Sequence, residues 1–116
     1  MIDLWLSTRR LSGVEIVEVG GELDAVTRPQ LHRLLGGYFQ GSSGERVVLD
    51  LSDVTFMDSG SLGLLIDHYK RAQAAGGRLV LANVSPSRMQ VLWLTGLADW
   101  LPLYSDLDSA ILALSR

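Results

Sequence analysis

The sequence contains no cysteine, no long uninterrupted apolar run and no excess of basic side chains. The lack of cysteine excludes a disulfide framework, a thiolate metal site and a cysteine nucleophile. Without an apolar segment of bilayer length or a signal-peptide pattern, we expect a cytoplasmic protein with no membrane partner. The net charge of -3 leaves no positive footprint for nucleic acid, so we expect no nucleic-acid partner.

What the sequence does contain is typical of a globular protein. It has 116 residues, of which 47% are hydrophobic and 20% are charged. This length is enough for one core between layers of secondary structure and too short for two. We therefore expect residues 1–116 to form a single domain.

The stretch from residue 47 to residue 66 organises the rest of the chain. Residues 47–51 form an almost unbroken apolar run of strand length, interrupted by Asp50, which is typical of a parallel strand covered on both faces. From Leu62 onwards, apolar residues recur at helical spacing and predict an amphipathic helix. Between them lies the 58–61 turn, Asp-Ser-Gly-Ser, at a junction where open α/β sheets often have their functional loops.

The segments around this unit alternate between strand and helix patterns. Those before it predict an antiparallel strand pair at 3–9 and 14–19, of which the second strand is half-exposed. A helix whose free amides Thr27 caps follows, and it ends or loosens at 36–37. Those after it predict a strand at 78–82, a helix from 85 to 96, an edge strand within 101–104 and a last helix capped at Ser105. The fold class is α/β: a mixed sheet with an antiparallel N-terminal pair, parallel crossovers and about four helices.

No pattern indicates an enzyme, a metal site or a cofactor site. His32 and His68 lie within predicted helices, where we expect solvated side chains and not catalytic bases. The aspartates near strand ends lack metal-ligand spacing, and we expect them to cap turns and helices. They are Asp24, Asp50, Asp53 and Asp58.

Several short motifs, taken together in their order and spacing, carry a family resemblance. They are Gly-Glu-Leu-Asp at 21–24 with Thr27, Val-Leu-Asp-Leu-Ser at 48–52, Phe-Met-Asp-Ser at 56–59, Leu-Gly at 62–63 and Ala-Asn-Val-Ser-Pro at 82–86. Over nearly its whole length the chain resembles the stand-alone STAS domain of bacterial anti-sigma factor antagonists.

The resemblance implies a binding protein that regulates transcription by partner switching. Such a domain docks onto an anti-sigma factor, typically a serine kinase of the histidine-kinase-like ATPase superfamily, and thereby releases a sigma factor. The kinase phosphorylates the antagonist at the start of the helix that follows the 58–61 turn, and a phosphatase removes the phosphate. The contact residues that this implies here are Glu22, Asp24, Thr27, Asp58, Ser59, Gly60, Ser61 and Leu62, an acidic surface that would complement a basic partner.

The chain departs from the family pattern at the phosphorylation site. The usual order is Asp-Ser-Ser/Thr-Gly-Leu-Gly, and the acceptor position is occupied here by Gly60. A shift of one residue turns a helical side chain by about 100°, which would point Ser61 away from a kinase, while Ser59 would cap the helix. Two outcomes stay open: no phosphorylation, or phosphorylation of Ser59 or Ser61.

Two other functions also stay open. A STAS adaptor subunit of another assembly, such as a lipid-transport machine or a stress-signalling scaffold, could use an apolar patch of Trp93, Leu97, Trp100 and Leu101, although we expect these residues to be core. A small-molecule or nucleotide site would lie in the strand-end crevice, and the lack of a glycine-lysine phosphate cradle counts against it.

Overall fold

The computed structural model describes residues 3–115. One sheet contains β1 (Leu4–Leu11), β2 (Val14–Leu23), β3 (Arg46–Met57), β4 (Arg78–Ala82) and β5 (Leu103–Tyr104), in that spatial order. The first two strands are antiparallel, and every other neighbouring pair is parallel. This arrangement confirms the predicted mixed sheet.

The helices cover the two faces of the sheet unequally. They are α1 (Arg28–Tyr38), α2 (Ser59–Ala74), α3 (Gln90–Leu94) and α4 (Leu107–Leu114), with a 3-10 turn at Leu97–Asp99. The first three connect parallel strands, and right-handed crossovers that advance in one direction bring them to one face. The last helix follows the final strand and packs on the other face.

The central strand β3 joins the two cores. Its side chains alternate, so Val47, Leu49 and Leu51 contact the α1–α2 layer while Val48 packs with the α4 layer. All four are fully buried, as predicted for a parallel strand covered on both faces. Burial of each such side chain contributes about 1.5–3 kcal/mol, so β3 is held firmly in the middle of the molecule.

β3 continues beyond the predicted end at residue 51, because β2 supplies backbone partners for it. The pairing runs on to Glu22 with Phe56 and Leu23 with Met57, whereas β4 accompanies β3 only as far as Asp50. The ends of β2 and β3 therefore extend past the rest of the parallel sheet. This two-stranded extension carries the loop after β2 and the 58–61 turn after β3.

The strand β2 was predicted to be half-exposed and to end at residue 19, and both points are wrong. Val17 and Val19 are buried, as are Val14 and Ile16 on the opposite face. The strand stays paired because a register shift next to Gly21 lets it follow β3. This glycine has a φ of +99°, and a Cβ there would overlap the carbonyl oxygen of Asp3.

Helix boundaries differ from the predictions at three places. α1 runs through the glycines at 36–37 to Tyr38, and α3 starts only at Gln90, because residues 85–89 form a separate turn. The cap of α4 is Asp106, whose Oδ1 accepts from the Ser109 amide at 2.7 Å, and not Ser105. The two-residue β5 at the sheet edge agrees with the prediction.

Candidate partner-binding surface

The 58–61 turn lies beside the loop that follows β2, here termed the 24–27 loop. The Asp58 amide donates to the Leu23 carbonyl at 3.1 Å, so the two strand ends hold the two segments together. Ser59 and Gly60 are exposed on the turn, and Val26 projects from the loop with 85% of its surface exposed. The two segments form one surface at the carboxyl ends of β2 and β3.

The carboxylate of Asp58 caps α2. Its Oδ1 accepts from the Ser61 amide at 2.8 Å, and its extended backbone is typical of an N-cap. The expectation that Ser59 caps this helix is therefore wrong, because Ser59 is the first helical residue. Its side chain is left at the surface.

Arg28 joins the turn to the start of α1. Its Nη2 donates to both carboxylate oxygens of Asp58 at 3.1 Å, and its Nε donates to Ser61 Oγ at 3.3 Å. Partial burial acts to raise the pKa of Asp58, but the hydrogen bonds from Ser61 and the Arg28 guanidinium outweigh it and lower that pKa. The Asp58 carboxylate is thus charged and already paired within the chain.

Gly60 leaves the space that this guanidinium occupies. A Cβ at position 60 would overlap Nη2 of Arg28, so any other residue there has to displace the arginine. The glycine is needed for this close approach, since its φ is not in the left-handed region. Gly60 and Arg28 are therefore structurally linked.

The 24–27 loop is fixed by its own side chains. Asp24 Oδ1 accepts from the amides of Val26 and Thr27, at 2.9 Å and 3.1 Å. The Thr27 hydroxyl donates to the Glu22 carbonyl at 2.6 Å, so Thr27 closes the loop. The prediction that its side chain caps α1 is wrong, because it accepts from no amide of that helix. This network leaves Val26, which sequence reasoning missed, as the apolar tip of the loop.

The predicted contact residues divide into two groups by burial. The surface group is wholly or partly accessible and consists of Glu22, Asp24, Asp58, Ser59 and Gly60. The supporting group is buried beneath it, with exposed fractions of 5% or less, and consists of Thr27, Ser61 and Leu62. The supporting residues hold the geometry of the turn and loop.

The prediction that His68 is solvated is wrong. It is fully buried where α2 faces α1, and its Nε2 lies 3.0 Å from Nδ1 of His32, which is exposed as predicted. Burial, reinforced by the neighbouring His32 and Arg71, lowers the pKa of His68 to about 4. His68 is therefore neutral at pH 7 and links the two helices.

The aspartates do serve as caps and turn acceptors, as predicted, at three of the four positions. Besides Asp24 and Asp58, the buried Asp50 accepts from the Ser52 amide at 3.1 Å and the Asn83 side chain at 3.0 Å. Within residues 3–115, no three His, Asp or Glu side chains are grouped to hold a metal ion. The same part of the chain has no helix long and apolar enough to cross a bilayer.

The tryptophans near α3 are not core residues, contrary to expectation. Trp93 is 43% exposed and Trp100 is 48% exposed, although Trp100 also packs edge-on against Tyr69. Leu101 is buried as expected. The reason is the short length of α3 and the following 3-10 turn, which lets only one side of this segment reach the core.

A model of the STAS domain matches residues 6–110 of the sequence. The chain belongs to the STAS domain family. The match spans all five strands apart from the first residues of β1, and it ends inside α4. It confirms the resemblance that the sequence motifs carry.

Three relatives of this STAS domain are each named as an antagonist of an anti-sigma factor. The "Anti-sigma F factor antagonist" of Paenibacillus polymyxa is 30% identical over 110 residues, covering 95% of this chain and 94% of that protein. The "Anti-sigma-B factor antagonist" of Listeria monocytogenes is 35% identical over 98 residues, covering 84% of each. A crystal structure of an anti-sigma factor antagonist from Mycobacterium paratuberculosis superposes with a TM-score of 0.85 at 32% identity, covering 98% of this chain and 96% of that one.

Proposed function

We propose that this STAS domain is an anti-sigma factor antagonist, which binds an anti-sigma factor in the cytoplasm and frees a sigma factor for transcription. The observation that carries the proposal is the docking surface, defined as the 58–61 turn together with the 24–27 loop. The shared description of the relatives supports the same function.

The docking surface suits protein binding because it is exposed and already ordered. The Arg28–Asp58 ion pair and the Asp24–Thr27 network hold both segments in place, so little conformational entropy is lost on association. Val26 offers an apolar anchor, while Ser59 and Gly60 allow a close backbone approach. We propose Glu22 and Asp24 as its polar rim.

We further propose that the partner is a serine-kinase-like protein of the histidine-kinase-like ATPase superfamily, and that the wild-type chain is not its substrate. Gly60 has no hydroxyl. Ser61 is only 1% exposed, and its hydroxyl accepts a hydrogen bond from Arg28. Ser59 is accessible, but it stands one residue before the acceptor position, which turns its side chain by about 100° from the direction that the acceptor would take. An antagonist of this kind stays competent to bind without a phosphatase.

The proposal is tested by the affinity for the anti-sigma factor. Asp58→Arg sets a second guanidinium against Arg28, and Ser59→Glu adds a charge to the centre of the docking surface. We expect each change to weaken binding at least about tenfold. Ser109→Glu is the matched control, because it adds the same charge to the first turn of α4 on the opposite face. Wild-type affinity for both docking-surface variants would contradict the proposal.

The adaptor function is a second candidate because of the exposed rings of Trp93 and Trp100. Together with Leu94, which is 82% exposed, they give an apolar patch on the α3 side. Because Trp5 is also exposed, acrylamide quenching of tryptophan emission is measured in a Trp5→Phe background, with and without the anti-sigma factor, and this separates the candidates. Shielding of these rings in the complex would add the patch to the interface, and unchanged quenching would leave it for another partner.

A further inference from the structure

A surface groove of about 330 Å³ lies beside the 58–61 turn, between α1 and α2. It is lined by Ala25, Arg28, Pro29, His32 and Leu64. Its alanine, proline and leucine are apolar, while its arginine and histidine carry nitrogen donors. Such a groove combines an apolar floor with two polar groups on the same side of α1, since residues four apart face one direction.

One edge of the Arg28 guanidinium is available to a ligand. Nε and Nη2 are bonded to Ser61 and Asp58, but Nη1 has no hydrogen-bond acceptor among residues 3–115. The arginine is held by its other edge, so its position is fixed before any ligand arrives. A guanidinium whose second edge faces a groove is suited to a carboxylate oxygen.

The buried His68 determines how His32 presents its proton. Nδ1 of His68 is buried with no hydrogen-bond partner in the described part of the chain, and an unpaired N–H is rarer in protein interiors than an unpaired acceptor. The favoured arrangement has the proton on His68 Nε2, which donates to His32 Nδ1. His32 then carries its own proton on Nε2, the ring nitrogen that is not bonded to His68, and the exposed His32 lines the groove.

We propose that this groove accepts an Asp or Glu side chain of the protein partner, an inference that rests on the proposed function. Arg28 Nη1 and His32 Nε2 donate to the carboxylate, and Leu64 and Pro29 contact its methylene groups. Of the two neighbouring carboxylates, Asp58 is offset by its ion pair with Arg28, and Asp24 is partly offset by the Val26 and Thr27 amide dipoles that point at it. The partner segment that docks here is thus acidic, opposite in sign to the basic partner that the sequence predicts.

A series of charge substitutions at the exposed Ala25 tests whether the partner segment that docks in the groove is acidic. We expect Ala25→Glu to weaken binding of the anti-sigma factor about fivefold, Ala25→Gln to leave it within twofold, and Ala25→Lys to strengthen it. These charge effects should shrink between 50 mM and 500 mM salt, because exposed charges are screened. Equal affinities for the three variants, or the reverse order, would overturn the carboxylate site.

Two further variants separate failure of this site from failure of the proposed function. Ser59→Glu tests the docking surface without entering the groove, and Ser109→Glu supplies its control. If Ser59→Glu weakens binding while the Ala25 series is flat, the function stands and the carboxylate site is wrong. If neither Ser59→Glu nor the Ala25 series changes affinity, or if the wild-type chain does not bind, both are wrong.

Discussion

Nη2 of Arg28 is 3.1 Å from both carboxylate oxygens of Asp58, across the space above Gly60. The two residues come from different strand-to-helix connections, yet their pairing makes the 58–61 turn and the start of α1 one rigid unit. The pair is partly exposed, with 29% of the Arg28 side chain and 32% of the Asp58 side chain accessible. Because solvent weakens such a pair, it contributes little to stability, and its main effect is to fix the geometry of the turn.

This relationship predicts that substitutions at Arg28 and Gly60 are not additive. Alanine for glycine in a helix usually stabilises by about 0.5–1 kcal/mol. In the wild-type protein we expect Gly60→Ala to give no such gain, because the methyl group displaces the guanidinium. In an Arg28→Ala background the gain should appear. Urea unfolding of the four proteins measures the difference, and equal effects of Gly60→Ala in both backgrounds would contradict the structural link.

The neutral, buried His68 predicts a loss of stability in mild acid. Its folded pKa of about 4 lies below its ordinary 6.5, so between these values the unfolded chain binds a proton that the folded chain does not. The free energy of unfolding should therefore fall as the pH drops from 6.5 to 4, by at most about 1.4 kcal/mol per pH unit from this group.

His68→Leu removes that titration and is the variant to compare. The free energy of unfolding of both proteins is measured at a series of pH values. The wild-type value minus the variant value, plotted against pH, isolates the contribution of His68. We expect the curve to rise with pH between 4 and 6.5 and to be flat above. A difference that is constant over the whole range would contradict a depressed pKa.

The geometry of the turn also predicts the outcome of phosphorylation. After incubation with the kinase-like partner and ATP, we expect mass spectrometry to find the wild-type chain unmodified. Gly60→Ser restores a hydroxyl at the position that the family uses, and we expect that variant to be phosphorylated there. Phosphate on Ser59 or Ser61 of the wild-type chain would contradict the expectation.

The sequence predicted the sheet and its helices because the signals for them are local. The apolar run at 47–51 and the helical stripe after Leu62 each specify an element without reference to distant residues. The last part of β3 was missed because Ser52 and Asp53 break the apolar pattern, and the strand continues there only through its pairing with β2.

The site was predicted less completely because its contacts are distant in sequence. Nothing near Arg28 indicates that its side chain reaches Asp58, and the one available signal was the missing side chain at Gly60. The burial of His68 had a clearer signal. It lies three residues after Leu65 and four before Ala72, on the buried side of α2.

As an anti-sigma factor antagonist, the chain should meet its anti-sigma factor through the docking surface. Val26 and Leu112 are both exposed apolar residues, at 85% and 60%, and they lie on the docking surface and on α4. The decisive measurement is the calorimetric affinity of Val26→Asp and Leu112→Asp for the anti-sigma factor. We predict a loss of at least about tenfold for Val26→Asp and a change within about twofold for Leu112→Asp. Equal affinities for the two variants would contradict the account.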